Sequence, residues 1–348
     1  SMNCITTPLT ELKEVEELQD WLKRRQKNRE KRSGALFACG CIDSQKAHFI
    51  AGCGEEFAYK LVITFSEVRA RELYEDYKCF DENVICYPAK DFIFYSADIH
   101  GNLIVQERMK AIQALLEKKR LVVIITIDGC MDKILPLPLI QQNILHISDT
   151  DHIDSEKLIE QLIQIGYERV QQVEGHGEFA VRGGIIDIFP LTEEVPYRIE
   201  LWGDEVDSIR TFHIQSQRSI ESQKEIILYP ATEMILEKDI IQEGIQTLNL
   251  DLQRQITVLE KEGKQEEIKR IRSIIGEVVE QMKSLKSTIS LDAYLSYFYT
   301  ETVSFLDYFP LEQTLVFLDE PVRIGEKADT LEMEFRESMI HRLEKGYI

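Results

Sequence analysis

The sequence predicts an α/β chain: a parallel-sheet segment first, an antiparallel β-meander in the middle, and a helical hairpin toward the C-terminus. Three observations predict it. The run LVVIITI at 121–127 is apolar at all positions but one, as strands covered on both faces of a parallel sheet are. The stretch PYRIELWGDEVDSIR at 196–210 alternates with period two around a Gly-Asp turn. Apolar residues then recur at steps of three and four on either side of Glu262-Gly263-Lys264.

Each element has its own signal. Leu12, Val15, Leu18 and Leu22 give 9–27 helical spacing, and 35–39 (ALFAC) reads as a short apolar strand. The segment 60–65 (KLVITF) is a buried strand, and 67–77 is a helix with Val68 and Leu73 inward. A strand at 84–87 closes on Pro88, a loop covers 95–101, and 103–119 is a helix leading into the strand at 121–127. Pro136 and Pro138 punctuate the chain at a domain boundary. The second domain begins with 143–147, and 154–165 is a helix with Asp154 and Ser155 as candidate caps and Gly166 as its stop.

The meander follows. Glu178 to Arg182 is a strand, Gly183-Gly184 permits a turn, Ile185 to Phe189 is the next strand, and Pro190 ends it. Tyr197, Ile199 and Leu201 share one face of the third strand, and Arg198, Glu200 and Trp202 share the other. Gly203-Asp204 turns the chain into a fourth strand at 206–214. One face of such a meander serves the core, and the other carries arginine, carboxylate and aromatic side chains together. The plain interpretation makes Trp202 and Phe189 half-buried sheet residues and the charges a solvated face. The alternative is a binding surface, since arginine and aromatics carry much of the energy of interfaces.

Ile245, Leu248, Leu252, Ile256 and Leu259 form one helical stripe, and Ile268, Ile271, Ile275, Val278, Met282 and Leu285 a second. The short turn between stripes of similar length favours an intrachain hairpin over a coiled-coil dimer. A strand at 314–321 (TLVFLDEP) and a charged helix at 331–345, with Leu331, Phe335, Met339 and Leu343 in line, complete the chain.

Composition narrows the function classes. The 348 residues should hold two or three domains, and 44% hydrophobic content suffices for their cores. The net charge of −20, from 41 basic and 61 acidic residues, disfavours non-specific DNA binding, which rests on neutralising phosphates. The basic run at 23–32 reads as the solvated side of the first helix. Seven cysteines without a secretion signal imply free thiols and a cytoplasmic location. Cys39, Cys41, Cys53 and His48 lack the ligand spacing of common zinc sites, so no metal is expected.

The residues carry more than their periodicity. GEFAVRGGIIDIFPL, PYRIELWGDEVDSIR, the segment Ser216-Gln217-Arg218-Ser219 and the close Pro230-Ala231-Thr232-Glu233 resemble the N-terminal module of the bacterial transcription-repair coupling factors (Mfd). That module is in turn similar to the damage-recognition protein UvrB. The resemblance is dense over 169–233 and looser elsewhere. It implies a degenerate P-loop motor-like parallel α/β domain split by an inserted antiparallel β-meander domain. The implied boundaries are 1–140, 141–222 and 223–348, the middle part binding UvrA.

The same resemblance bears on chemistry. UvrB and its motor relatives hold phosphates on a glycine-rich loop with a Lys-Ser/Thr pair. The corresponding stretch here is Gly40-Cys41-Ile42-Asp43-Ser44-Gln45-Lys46, with Ala47 where a magnesium-holding hydroxyl is needed and Asp43 set to repel phosphate. Asp319-Glu320-Pro321 resembles the motor family's Asp-Glu-x-His strand end, with the carboxylates kept. The expectation is a fragment with no catalytic residues and no cofactor. ATP, magnesium, DNA and RNA polymerase belong to downstream domains of a translocase. By resemblance the UvrA contact uses Arg169, Arg182 and, as its aromatic, Phe189, while Ala180 stands where UvrB has a further arginine. Two other classes stay open: a working UvrB-like ATPase using Lys46, and a nucleic-acid-binding module stacking bases on the meander's aromatics.

Overall fold

The computed structural model describes residues 6–28, 35–90, 100–235, 237–284 and 294–345. In chain order its strands are β1 (Tyr59–Thr64), β2 (Val84–Tyr87), β3 (Leu121–Thr126), β4 (Leu145–Ser148), β5 (Glu168–Arg169), β6 (Glu178–Arg182), β7 (Ile185–Phe189), β8 (Tyr197–Trp202), β9 (Glu205–Phe212), β10 (Ser219–Gln223), β11 (Glu225–Leu228) and β12 (Thr314–Leu318). They fall in two compact units.

The first unit gathers residues up to Lys90, Ala111–Asp132 and Ser304–Leu331. Its sheet is parallel throughout, in the order β12-β1-β3-β2. Every residue of β1 and β3 is buried, Lys60 and Thr64 included, and the apolar runs at 61–63 and 121–125 are covered on both faces. The helix Glu67–Lys78 starts on Ser66, whose side chain accepts from the Arg69 amide. It turns Ala70, Leu73 and Tyr77 inward onto Val62, Val122 and Ile124.

Two expectations are corrected here. Val68 is 70% exposed rather than inward, because the stripe of the helix runs through 70, 73 and 77, about 180° away from it. The residues 35–39 form no strand: they are exposed and pair with none of the four strands of this sheet. Apolar composition alone could not show that. Most of the expected loop at 95–101 lies outside the described residues.

The second unit comprises Asp91–Lys110, Lys133–Val303 and Glu332–Ile348. Its main sheet has the order β10-β9-β8-β7-β6-β5, antiparallel except for the β5–β6 pair. One face packs Phe179, Ile186, Ile188, Ile199, Val206 and Ile209 against the helix Ser155–Gln164, through Leu158 and Leu162, and against the β4–β11 pair. Asp154 caps that helix, accepting from the amides of Glu156 and Lys157.

The Pro-Ala-Thr-Glu close is tied into this core. The Ala231 amide donates to the Ile165 carbonyl at 2.8 Å, and the Tyr167 hydroxyl donates to the Tyr229 carbonyl at 2.9 Å. Glu233, itself buried, receives the Nε of the fully buried Arg108 on both carboxylate oxygens, at 3.0 and 2.9 Å.

The helices Lys238–Lys261 and Gln265–Ser284 form the hairpin, turning at Gly263. Leu248, Ile256 and Leu259 are buried on the first; Ile268, Ile271, Ile275, Val278 and Met282 are buried on the second. Leu285 lies outside the described residues. The helix Pro321–Lys345 begins ten residues before the apolar spacing suggested, and Phe335 and Leu343 on it are exposed.

Two glycines in the hairpin should respond oppositely to alanine. A Cβ on Gly244 would stand 2.4 Å from the Phe298 ring, whereas one on Gly276 meets nothing within 4 Å. Gly276→Ala is expected to stabilise by about 0.5–1 kcal/mol through helix propensity. Gly244→Ala is expected to cost about 1–3 kcal/mol through overpacking. Urea unfolding of the two variants checks the signs.

Candidate partner-binding face

The face of the meander turned away from the larger core is built in rows by the strand register. One row runs Ala180, Asp187, Arg198, Arg210, Ser222 across β6 to β10. The next runs Arg182, Ile185, Glu200, Ser208. Beyond it Trp202 pairs with Glu205 beside the Gly203-Asp204 turn. Period-two alternation puts these residues on one side; glycine at positive φ, +61° at Gly183 and +69° at Gly203, reverses the strands tightly at that end.

Asp187 organises the face. It is 1% exposed. Arg198 holds it with both arms of the guanidinium, Nε to Oδ1 at 2.6 Å and Nη2 to Oδ2 at 2.8 Å, and Arg182 adds Nη2 to Oδ2 at 3.1 Å. Arg198 further donates to the backbone carbonyl and the side-chain oxygen of Gln217, each at 3.1 Å, and lies 4.6 Å over the Phe212 ring. The hydrogen bonds to Asp187 raise the Arg198 pKa above its ordinary value, against the opposing effect of burial. Arg198 is thus an internal strut. Arg182, with a side chain 51% exposed, keeps donors facing outward while Asp187 fixes its direction.

The three residues singled out by resemblance occupy different places. Arg182 is on this face. Arg169 is exposed on the edge strand β5 in register with Phe179, whose side chain enters the larger core, so it does not share the Asp187 row. Phe189 is only 3% exposed. It packs with Val173, Ala180 and Phe212 and against the His176 ring at 4.0 Å, forming the floor of the face rather than a projecting aromatic. Ala180 belongs to the same small cluster, where an arginine would displace Phe189 or Phe212.

Asp187 carries no local motif that marks it as a site residue, and Trp202 is placed differently from its expected half-buried position. Asp187 could have been found as a lone carboxylate within IIDIF, opposite an arginine on the neighbouring strand. Trp202 is 81% exposed, the reverse of the half-buried position its strand suggested.

The first unit has its own charged constellation at the C-terminal edge of the parallel sheet. Lys46, on the helix Asp43–Gly52, donates to Asp319 at 2.8 Å and Glu320 at 2.7 Å. Arg69 donates to Asp319 at 3.0 Å and to Asp43 at 3.2 Å, and the Thr64 hydroxyl donates to Asp319 at 3.0 Å. Burial alone would raise the Asp319 carboxyl, but the hydrogen bonds from Lys46, Arg69 and Thr64 outweigh it and hold the carboxyl below its ordinary value. Burial likewise works against the Lys46 ammonium, and its two carboxylate partners override that and raise its pKa. The lysine of the degenerate loop is therefore spent on the strand-end carboxylates. Among the described residues no group of three His, Cys, Asp or Glu is arranged to hold a metal ion, and no helix is long and apolar enough to cross a membrane.

The comparisons agree with this geometry. The family model described as the UvrB interaction domain matches residues 145–234, which contain the whole meander. A transcription-repair-coupling factor of Bacillus subtilis is 33% identical over 289 residues, covering 82% of this chain and 24% of that protein. One of Staphylococcus epidermidis is 28% identical over 76% of this chain and 22% of its own length. The UvrABC system protein B of Thermosipho africanus is 29% identical over 75% of this chain and 42% of its own. The chain spans about a quarter of the length of the coupling factors it matches. A parallel sheet completed by a late strand, the meander inserted within it and these matches all point one way: the chain belongs to the transcription-repair-coupling factor family and corresponds to its UvrB-like N-terminal region.

Proposed function

We propose that this chain is a UvrA-recruiting module acting in transcription-coupled nucleotide excision repair. The observation that carries the reading is the Arg182–Asp187–Arg198 constellation on the open face of the meander, inside the region that matches the UvrB interaction domain. A directed, half-exposed arginine is suited to bidentate capture of a partner carboxylate. Arg169, exposed at the sheet edge, would be a second contact, with Phe189 supporting the surface from beneath.

The module itself acts by binding. Lys46, at the position that corresponds to a phosphate-loop lysine, is held by Asp319 and Glu320, so a nucleotide phosphate would have to displace two carboxylates to reach it. In a protein of the length of its relatives, RNA polymerase, DNA, ATP and magnesium would be engaged by other domains. Those would form an ATP-dependent translocase that displaces stalled polymerase.

Calorimetric titration with purified UvrA tests the reading. Saturable binding is expected. Arg182→Ala is expected to weaken it by about tenfold or more, as truncation of a central interface arginine does, with the thermal unfolding midpoint retained. Wild-type affinity in a folded Arg182→Ala chain would refute the site. ATP turnover abolished by Lys46→Ala would refute the purely binding role.

A further inference from the structure

We infer that Trp202 is the apolar anchor of the UvrA contact, seated in a pocket of UvrA that carries a carboxylate toward Arg182; the inference rests on the UvrA reading above.

Three observations carry it. The indole is 81% exposed on the same face as Arg182 and one row beyond it. It stands between two turns that offer it no cover. A Cβ at Gly183 or Gly203 would meet nothing within 4 Å, and Gly184 is pressed so close to β8 that a Cβ there would lie 2.7 Å from the Leu201 carbonyl oxygen. The Leu201 amide donates to the Gly184 carbonyl at 2.7 Å, holding that turn against the strand that ends in Trp202. The chain thus spends a tight, glycine-lined corner on displaying a large aromatic ring.

The spacing suits one contact. Strand geometry places the Cα atoms of Arg182 and Trp202 about 12 Å apart: two strands across and two residues along. That is well inside one interface core. Tryptophan and arginine are the side chains most enriched where binding energy concentrates, and an indole buries a large area at the cost of ordering two torsions. The surrounding charges define the complement. Arg182 lies on one side of the ring's row, while Glu205, the ring's cross-strand neighbour, is already met by the His152 Nε2 at 3.4 Å, so the matching surface sets a carboxylate toward Arg182.

The chain has two tryptophans, Trp21 and Trp202, so 5-fluorotryptophan labelling gives two fluorine resonances, assigned by Trp21→Phe. Adding UvrA is expected to shift the Trp202 resonance and to protect it from solvent, with Trp21 unmoved. Trp202→Ala is expected to weaken UvrA binding at least tenfold with an unchanged unfolding midpoint, and Trp202→Phe to recover part of the loss. If Trp202→Ala binds UvrA like wild type while Arg182→Ala does not, the anchor is refuted and the UvrA reading stands. If the folded wild-type chain does not bind UvrA, both are refuted. A salt-sensitive shift of the Trp202 resonance with single-stranded DNA, and none with UvrA, would overturn the anchor in favour of base stacking.

Discussion

Glu233→Ala is expected to lower the stability of the second unit by about 3–5 kcal/mol, the cost of leaving one member of a buried ion pair behind. Arg108 is fully buried on the helix His100–Leu116, and both carboxylate oxygens of Glu233 accept from its Nε. Removing the carboxylate takes away the acceptor of the buried Nε. The calorimetric unfolding midpoint should fall by about 10 °C, scaling from the usual few degrees per kcal/mol for a unit of this size. A single-variant loss below about 1 kcal/mol would show that the pair does not hold the Pro-Ala-Thr-Glu segment in place.

The second large effect is at Asp187. Asp187→Ala should cost about 2–4 kcal/mol, since it leaves Arg198, only 14% exposed in its side chain, without its bidentate acceptor. It should also weaken UvrA binding by at least as much as Arg182→Ala, although Asp187 itself is too buried to touch a partner. The two effects separate by comparison. Arg182→Ala is expected to reduce affinity with stability intact, whereas Asp187→Ala reduces both, and Asp187→Asn, which keeps an acceptor without the charge, falls between. Undiminished UvrA affinity in a folded Asp187→Ala chain would show that Arg182 needs no such support.

How far the sequence was legible depends on what each element answers to. The strands Glu178–Arg182, Ile185–Phe189 and Tyr197–Trp202 end where they were expected to, because period two and the Gly and Pro turns are local signals. What the outer face does was not local. Phe189 and Asp187 both alternate outward, yet both are buried, Phe189 under Val173 and Phe212 and Asp187 under two arginines. Trp202 alternates to the same side, at a corner where the chain supplies no lid. The residues 35–39 read as a strand because a short apolar run looks the same whether or not a sheet pairs with it, and here it is exposed. The Lys46–Asp319 contact, 273 residues apart in the chain, has no local signature at all.

That late strand has a consequence for biosynthesis. β1 acquires its β12 neighbour, and Thr64 its bond to Asp319, only across a separation of 255 residues. At about 5–20 residues per second of translation, roughly 10–50 s pass between the emergence of β1 and that of its partner. The meander, whose strands pair with near neighbours in the chain, can close on the ribosome during that interval. The parallel sheet meanwhile holds the Val62 strand with one edge open. Nascent chains held on the ribosome with Thr314–Leu318 still inside the exit tunnel, and chains extended until that strand has emerged, should therefore differ in protease resistance in the first unit alone, with the meander protected in both.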